Sequence, residues 1–243
     1  MSGDSAGGRP VAAFGDPVQG LWGVALGGSS PGVVWGRLDG VSTEGFVPAT
    51  VTQTDAEWRI AGDGIELTLL PLADDSGVMP DPGGMLELCR VAWHMDAAGA
   101  DGEAELVGVR CSALPSGRID SSRLVAAWFP DGHAVALLAA RPAGAKGQDR
   151  DALSVALLGE REGVHVFDPR LSTTYGGDGR PRRTGVELWL GETEEGDHYP
   201  RRVVGEADGD QVRDREAGLQ VTGLRCHSHG EDGIGVYLLA RGR

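Results

Sequence analysis

Residues 123–141, RLVAAWFPDGHAVALLAAR, constrain the fold of this chain more than any other stretch. Two apolar runs, each the length of a core strand, flank Pro130-Asp131-Gly132. Proline pre-sets a turn dihedral and glycine supplies a positive φ. The triplet therefore predicts a tight connection, and the segment a β-hairpin. In its first run Trp128 lies on the opposite strand face from Val125 and Phe129, yet both faces are apolar. A strand dry on both sides must be covered on both sides. One cover is the interior of a barrel or sandwich. The other is expected to be a second half of the same chain.

Weaker units of the same kind recur on both sides, roughly every ten residues. Residues 21–26 and 33–38 bracket a Gly/Ser/Pro turn, and 57–60 and 65–69 bracket Ala61-Gly62-Asp63-Gly64. Ile65, Leu67 and Leu69 alternate with Glu66 and Thr68, the period of a strand with one wet face. Residues 85–95 read as a strand paired with 106–110 across a turn-rich gap. Further strands are expected at 153–158, 163–167, 186–190, 199–205, 219–227 and 234–240. Residues 73–84, 141–151, 168–183, 192–197 and 206–216 read as polar connections. No segment sustains a 3.6-residue period with helix caps. The expectation is an all-β, antiparallel protein of two barrel or sandwich halves. Residues 1–12 form a flexible leader, 13–104 an N-terminal half and 105–243 a C-terminal half.

Charge and cysteine usage narrow the function classes. The net charge of −14 opposes nucleic acid and anionic membrane as partners, since phosphate binding needs clustered cations. Cys89, Cys111 and Cys226 are odd in number and widely spaced, which fits neither a disulfide framework nor a zinc motif. The opening MSGDSAGGRP lacks the basic start and apolar core of a signal peptide, and no apolar run reaches the length of a membrane span. A cytoplasmic protein without membrane insertion is expected; its oligomeric state is left open. The run GVALGGSSPGVVWG has no Lys-Ser/Thr ending and no helix behind it, and Ser121 and Ser122 have no elbow motif around them. No cofactor is expected.

Cys226-His227-Ser228-His229 is the densest group of soft ligands. On a strand His227 and His229 share a face, but two imidazoles are too few for a metal, and none is expected. His94, His133, His165 and His198 could each serve as a general acid or base near neutral pH. His133 opens the return strand of the central hairpin and is the leading catalytic candidate among them. Glu187 shares a strand face with Trp189, opposite Val186 and Leu188. Turned inward, such a carboxyl would have its pKa raised by burial and could act as an acid. Glu187 is the second catalytic candidate. Tryptophan gives a large apolar wall with one N–H donor. Trp22, Trp128, Trp189 and Tyr199 are the expected ligand-binding residues, with Trp22 and Trp128 walling an apolar cavity between the halves.

The layout resembles the AttH/CrtC-like family of two packed lipocalin-like barrels. The resemblance rests on Leu21-Trp22-Gly23 and the Trp58 hairpin in the first half. In the second it rests on Trp128-Phe129-Pro130-Asp131-Gly132, Asp178-Gly179-Arg180-Pro181, Tyr199, Gly205, and a closing strand with Gly235 and Tyr237. Where such proteins often carry a His-Ser-Trp-Gly-like segment, this chain has Ile119-Asp120-Ser121-Ser122-Arg123, without the histidine or tryptophan. Members act on apolar terpenoids and polyenes as hydratases, cyclases or Diels–Alder catalysts. The resemblance implies a cofactor-independent cyclase or isomerase of a hydrophobic natural product. The alternatives are a non-catalytic lipocalin-like binding protein for a similar small molecule, and an interaction module with a filled core.

Overall fold

The structure, a computed structural model, describes residues 8–38, 45–62, 64–72, 77, 84–95, 103–146, 153–159, 164–166, 168–189, 200–214 and 217–242. Among them are seventeen strands and no helix. The first eight are β1 (Val11–Asp16), β2 (Leu21–Leu26), β3 (Gly32–Arg37), β4 (Val47–Gln53), β5 (Trp58–Gly62), β6 (Ile65–Pro71), β7 (Leu86–Met95) and β8 (Glu103–Cys111). The others are β9 (Ile119–Trp128), β10 (Ala134–Pro142), β11 (Leu153–Gly159), β12 (Val164–His165), β13 (Asp168–Tyr175), β14 (Pro181–Trp189), β15 (Arg201–Asp214), β16 (Leu219–Ser228) and β17 (Glu231–Arg241). Strands β1 to β8 pair antiparallel in chain order, and β8 returns to β1 to close a barrel. The remaining nine form an antiparallel sheet in the order β12-β11-β10-β9-β17-β16-β15-β14-β13. It curls until β11 approaches β13, a nearly closed barrel.

Side-chain alternation decides what each strand covers. On β5 and β6, Trp58, Ile60, Ile65, Leu67 and Leu69 are buried while Arg59 and Glu66 are exposed. With Phe14, Trp35 and Trp93 they fill the first barrel. The central hairpin forms as expected, with Gly132 at φ 91° in its turn. Its strand β9 is buried on both faces: Val125, Ala127 and Phe129 point into the second barrel, while Leu124, Ala126 and Trp128 join Val11, Trp22, Leu88 and Val109 in a separate core between the barrels. The strand that is dry on two sides is therefore a wall shared by two cores.

Several tracts differ from expectation. Strand β1 begins at Val11, inside the expected leader. The division at residues 104 and 105 falls within β8, whose pairing to both β7 and β1 closes the first barrel. The chain crosses to the second sheet between Cys111 and Ile119. Residues 168–183 contain β13, and β15 runs on to Asp214 through a tract read as a loop. Both are polar strands. Leu171 supplies β13's apolar contact, and Asp208 of β15 takes Arg225 across the ladder at 2.9 Å. Alternation of apolar residues says nothing where a ladder is built from charged cross-strand pairs.

The barrels interlock through two reciprocal contacts. The Trp128 ring of the second barrel lies directly on Gly15 of β1, and the Trp22 ring of the first lies on Gly223 of β16; a Cβ at either glycine would overlap the ring. Each half thus presents an indole to a bare patch of backbone on the other. Trp128 Nε1 is buried and has no partner, a loss of about 1–3 kcal/mol that burial of the ring offsets. Overpacking such a site costs about 1–3 kcal/mol, so Gly15→Ala is expected to lower stability by that amount in urea unfolding. Trp128→Leu in the same chain should recover part of the loss, read as coupling in a double-mutant cycle. Additive losses would mean that the two residues do not meet.

Candidate functional site

Trp22 and Trp128 lie between the halves, but each is only 2% exposed. Each ring is seated against backbone of the other half. Both rings are occupied by the glycine sockets and line none of the three clefts described below.

Glu187 and Trp189 occupy the outer face of β14. Val186 and Leu188 take the inner face, so parity turns the carboxylate away from the barrel. Across the ladder it pairs with Arg202, Nε to Oε1 at 3.1 Å. Trp189 lies under the Arg170 guanidinium, 5.7 Å from its ring centroid. The internal acid read from the sequence is an outer-face ion pair. Tyr199 and His198 lie outside the described residues.

His133 is the sequence candidate that the fold places in a polar cluster. It opens β10, 4% exposed, stacked on Phe129 with centroids 4.4 Å apart and planes at 14°. Its Nδ1 lies against Asp131 Oδ1, the oxygen that also accepts the His133 amide at 3.1 Å. Its Nε2 meets Arg201 Nη2 at 2.7 Å. A guanidinium cannot accept a hydrogen bond, so Nε2 accepts and the ring proton sits on Nδ1, toward Asp131. The imidazole is thereby tied at both nitrogens and covered on one face. It joins the β9–β10 turn to the start of β15, and to act as a base it would first have to release Arg201.

Asp131, His133 and Glu231 also bring three metal-ligating atoms within 4.8 Å of one another, a grouping with no sequence spacing to announce it. Arg201 sets a fixed positive charge against the imidazole nitrogen there, which disfavours a cation. The other soft-ligand cluster disperses. Cys226 faces the second interior, its thiol pushed up to about 12 by burial. His227 is on the outside, with Nδ1 2.9 Å from Asp232 Oδ1. His229, at φ 51°, forms with Gly230, at φ 87°, the two-residue turn between β16 and β17. Positive φ at both positions is what a tight hairpin turn requires, so His229 shares no strand face with His227.

Burial pushes the Asp131 carboxyl up. The His133 amide and imidazole, with Glu231, outweigh this and hold it below the ordinary carboxylate value. A carboxyl lowered in the folded state contributes stability above its ordinary pKa and loses it as pH falls through the folded value. The bond from the His133 amide to Asp131 is therefore expected to hold down to pH 3.8 and to loosen below it. Carboxyl-detected NMR should place the Asp131 midpoint below 3.8; a midpoint at or above it would remove Asp131 from the tie.

Among the described residues, three clefts can be placed. The largest of these, about 650 Å³, runs along the edge of the seam between the barrels. Its walls come from Arg9, the β2–β3 turn at Ser29 and Ser30, the crossing segment at Leu114–Gly117, and the ends of β15 and β17. Ser122 Oγ donates to the Pro115 carbonyl at 3.0 Å and Leu114 N–H to the Arg9 carbonyl at 2.8 Å, which fix the crossing segment in place. The junction concavity is thus mixed in character: Arg9, Arg241, Asp214 and serine hydroxyls face Leu114, Pro115, Ala217, Leu219 and Ala240. A second cleft, about 620 Å³, lies at the mouth of the first barrel. There Arg110 Nε pairs with Glu87 Oε2 at 2.6 Å, and the guanidinium lies 5.6 Å from the Trp58 ring centroid. A third, about 530 Å³, lies at the mouth of the second barrel, at the end remote from His133.

No family model matches the sequence, and no curated protein does. Solved structures are similar in fold. CghA, in its crystal structure with Sch210972, aligns with a TM-score of 0.54 at 12% identity, over 96% of this chain and 87% of that one. A Nitrosomonas europaea protein provisionally described as an AttH aligns with a TM-score of 0.51 at 9% identity, over 98% of this chain and 94% of that one. At these identities the likeness is one of fold, and it spans both barrels: the chain has the lipocalin-like two-barrel architecture that its AttH-like layout implied.

Proposed function

We propose that the protein takes a small, largely apolar organic molecule with a polar end into the seam cleft, and folds it there for cyclisation or isomerisation without a cofactor. The observation that carries this is the cleft itself. Its volume of about 650 Å³ falls within the range of about 300–1,000 Å³ typical of small-molecule sites. Its walls belong to two interlocked barrels, so it holds a shape. Leu114, Pro115, Leu219 and Ala240 would pack a carbon chain, and Arg9, Arg241 and the serines would orient a carbonyl. Fixing a flexible chain near its reactive conformation removes much of the entropic barrier of a ring closure. A guanidinium on the carbonyl would stabilise the charge that develops there. The Sch210972 in the CghA structure supports a small-molecule role for the fold. The three cysteines, buried and free, support a reducing, cytoplasmic setting.

The second reading is a binding protein that holds such a molecule unchanged. It is favoured by the lining of the cleft, in which, among the described residues, Asp214 is the one carboxylate and there is no histidine.

A linear triene carrying an activated alkene separates the two. Ser116 is exposed on the crossing segment and lines the cleft; Ser116→Trp fills it without touching either core. Under the enzyme reading the protein accelerates ring closure at least tenfold, about 1.4 kcal/mol of barrier, and Ser116→Trp abolishes the gain. Saturable binding with no acceleration leaves the carrier. No binding, or binding that Ser116→Trp leaves intact, would defeat both.

A further inference from the structure

We propose that the mouth of the second barrel is a separate recognition site for the carboxylate of a small organic acid, with the Tyr175 hydroxyl as its donor. This does not rest on the seam-cleft reading, although Arg241 and Gly242 border both clefts.

The case begins with a chain of hydroxyls. Thr173 and Tyr175 are two apart on β13, so both face the barrel interior, with Tyr175 at its rim. Tyr237, on β17, is fully buried inside. Thr173 Oγ1 donates to the Tyr237 oxygen at 3.5 Å, and the Tyr237 and Tyr175 oxygens are 2.8 Å apart. Each hydroxyl has one proton to give. Either tyrosine could donate in that pair, but the Tyr175 bond raises the Tyr237 pKa, as it does when Tyr237 is the donor, whereas the Thr173 bond lowers it; the Tyr175 proton is then left to point outward. Burial and the neighbouring Tyr175 raise the pKa of Tyr237, so Tyr237 keeps its proton at neutral pH. Donors in series polarise one another, which strengthens the last of them.

That last donor lines a cleft of about 530 Å³. Arg141 and Arg241 also line it, with Asp120 as the carboxylate among the described lining residues. Arg141 donates through Nη2 to the Ala145 carbonyl at 3.0 Å, which holds its guanidinium in place. In a chain of net charge −14 two arginines on one cleft are an exception. A hydroxyl donor and two guanidiniums lining the same cleft suit a planar two-oxygen acceptor. Leu239 and the tyrosine ring give its organic body an apolar surface. These features favour an organic carboxylate over inorganic phosphate, which has no use for that surface.

Calorimetric titration with phenylacetate tests the site, with 2-phenylethanol and inorganic phosphate as comparison ligands. Phenylacetate should bind saturably and at least tenfold more tightly than either, as a charge-assisted hydrogen bond implies. Tyr175→Phe, which keeps the ring, should weaken it about tenfold, and Tyr237→Phe about threefold through loss of the relay. Near-UV circular dichroism checks that both variants keep their packing. Ser116→Trp, which fills only the seam cleft, should leave phenylacetate binding unchanged. Wild-type affinity in Tyr175→Phe, phosphate or phenylethanol binding as tightly as phenylacetate, or loss of binding in Ser116→Trp would each overturn the proposal. So would the absence of saturable binding to the wild-type protein.

Discussion

The reciprocal seating of two indoles on two glycines holds the molecule in its observed form. Among the described residues, Trp22 and Trp128 are the fully buried aromatic rings of the core between the barrels, and each lies against the other barrel's bare backbone. A ring on backbone permits no sliding: a shift of one residue along either strand would set a side chain beneath it. The two contacts sit on different strand pairs, β1 with β9 and β2 with β16. Together they fix both the separation and the rotation of the halves. The seam cleft has a defined shape because its two sides cannot move independently.

The fold was legible where burial differs between strand faces. Ile65–Leu69 and Val186–Leu188 gave their parity directly, and the unbroken apolar run of β9 implied a second cover, which is the first barrel. Legibility failed at β1, β13 and the far half of β15. β1 is short and small, VAAFGD, and its first two residues fall within the expected leader. The others carry charge on one face and little carbon on the other, so that pairing partners, which a single sequence does not reveal, decide the matter.

The sites were less legible, for a related reason. A hydrophobic residue in a sequence can be placed indoors, but its placement does not say whether it lines a space or fills one. Trp128 and Trp22 fill one. Glu187 was a candidate acid only if it turned inward; its alternation with Val186 and Leu188 already set it opposite them, and Arg202, fifteen positions on, pairs with it there. The Tyr175–Tyr237 pair spans sixty-two positions and lies partly in a tract read as a connection. The Asp131–His133–Arg201 tie likewise joins a turn to a distant strand. Contacts of this kind are products of topology, and spacing along the chain carries no trace of them.

The second sheet is a cylinder with a slit. Eight of its strand boundaries are zipped by ladders, but the rims β11–β12 and β13 approach each other without one. Parting β13 from β11 therefore breaks no ladder among the described residues, whereas parting neighbours such as β9 and β10 breaks a row of backbone hydrogen bonds. The edge so left is poor bait for a passing strand: Pro169 donates no hydrogen bond, Asp168 and Arg170 keep it charged, and β12 is only two residues long. A sheet that stops short of closure thus carries its own guard against being completed by another chain.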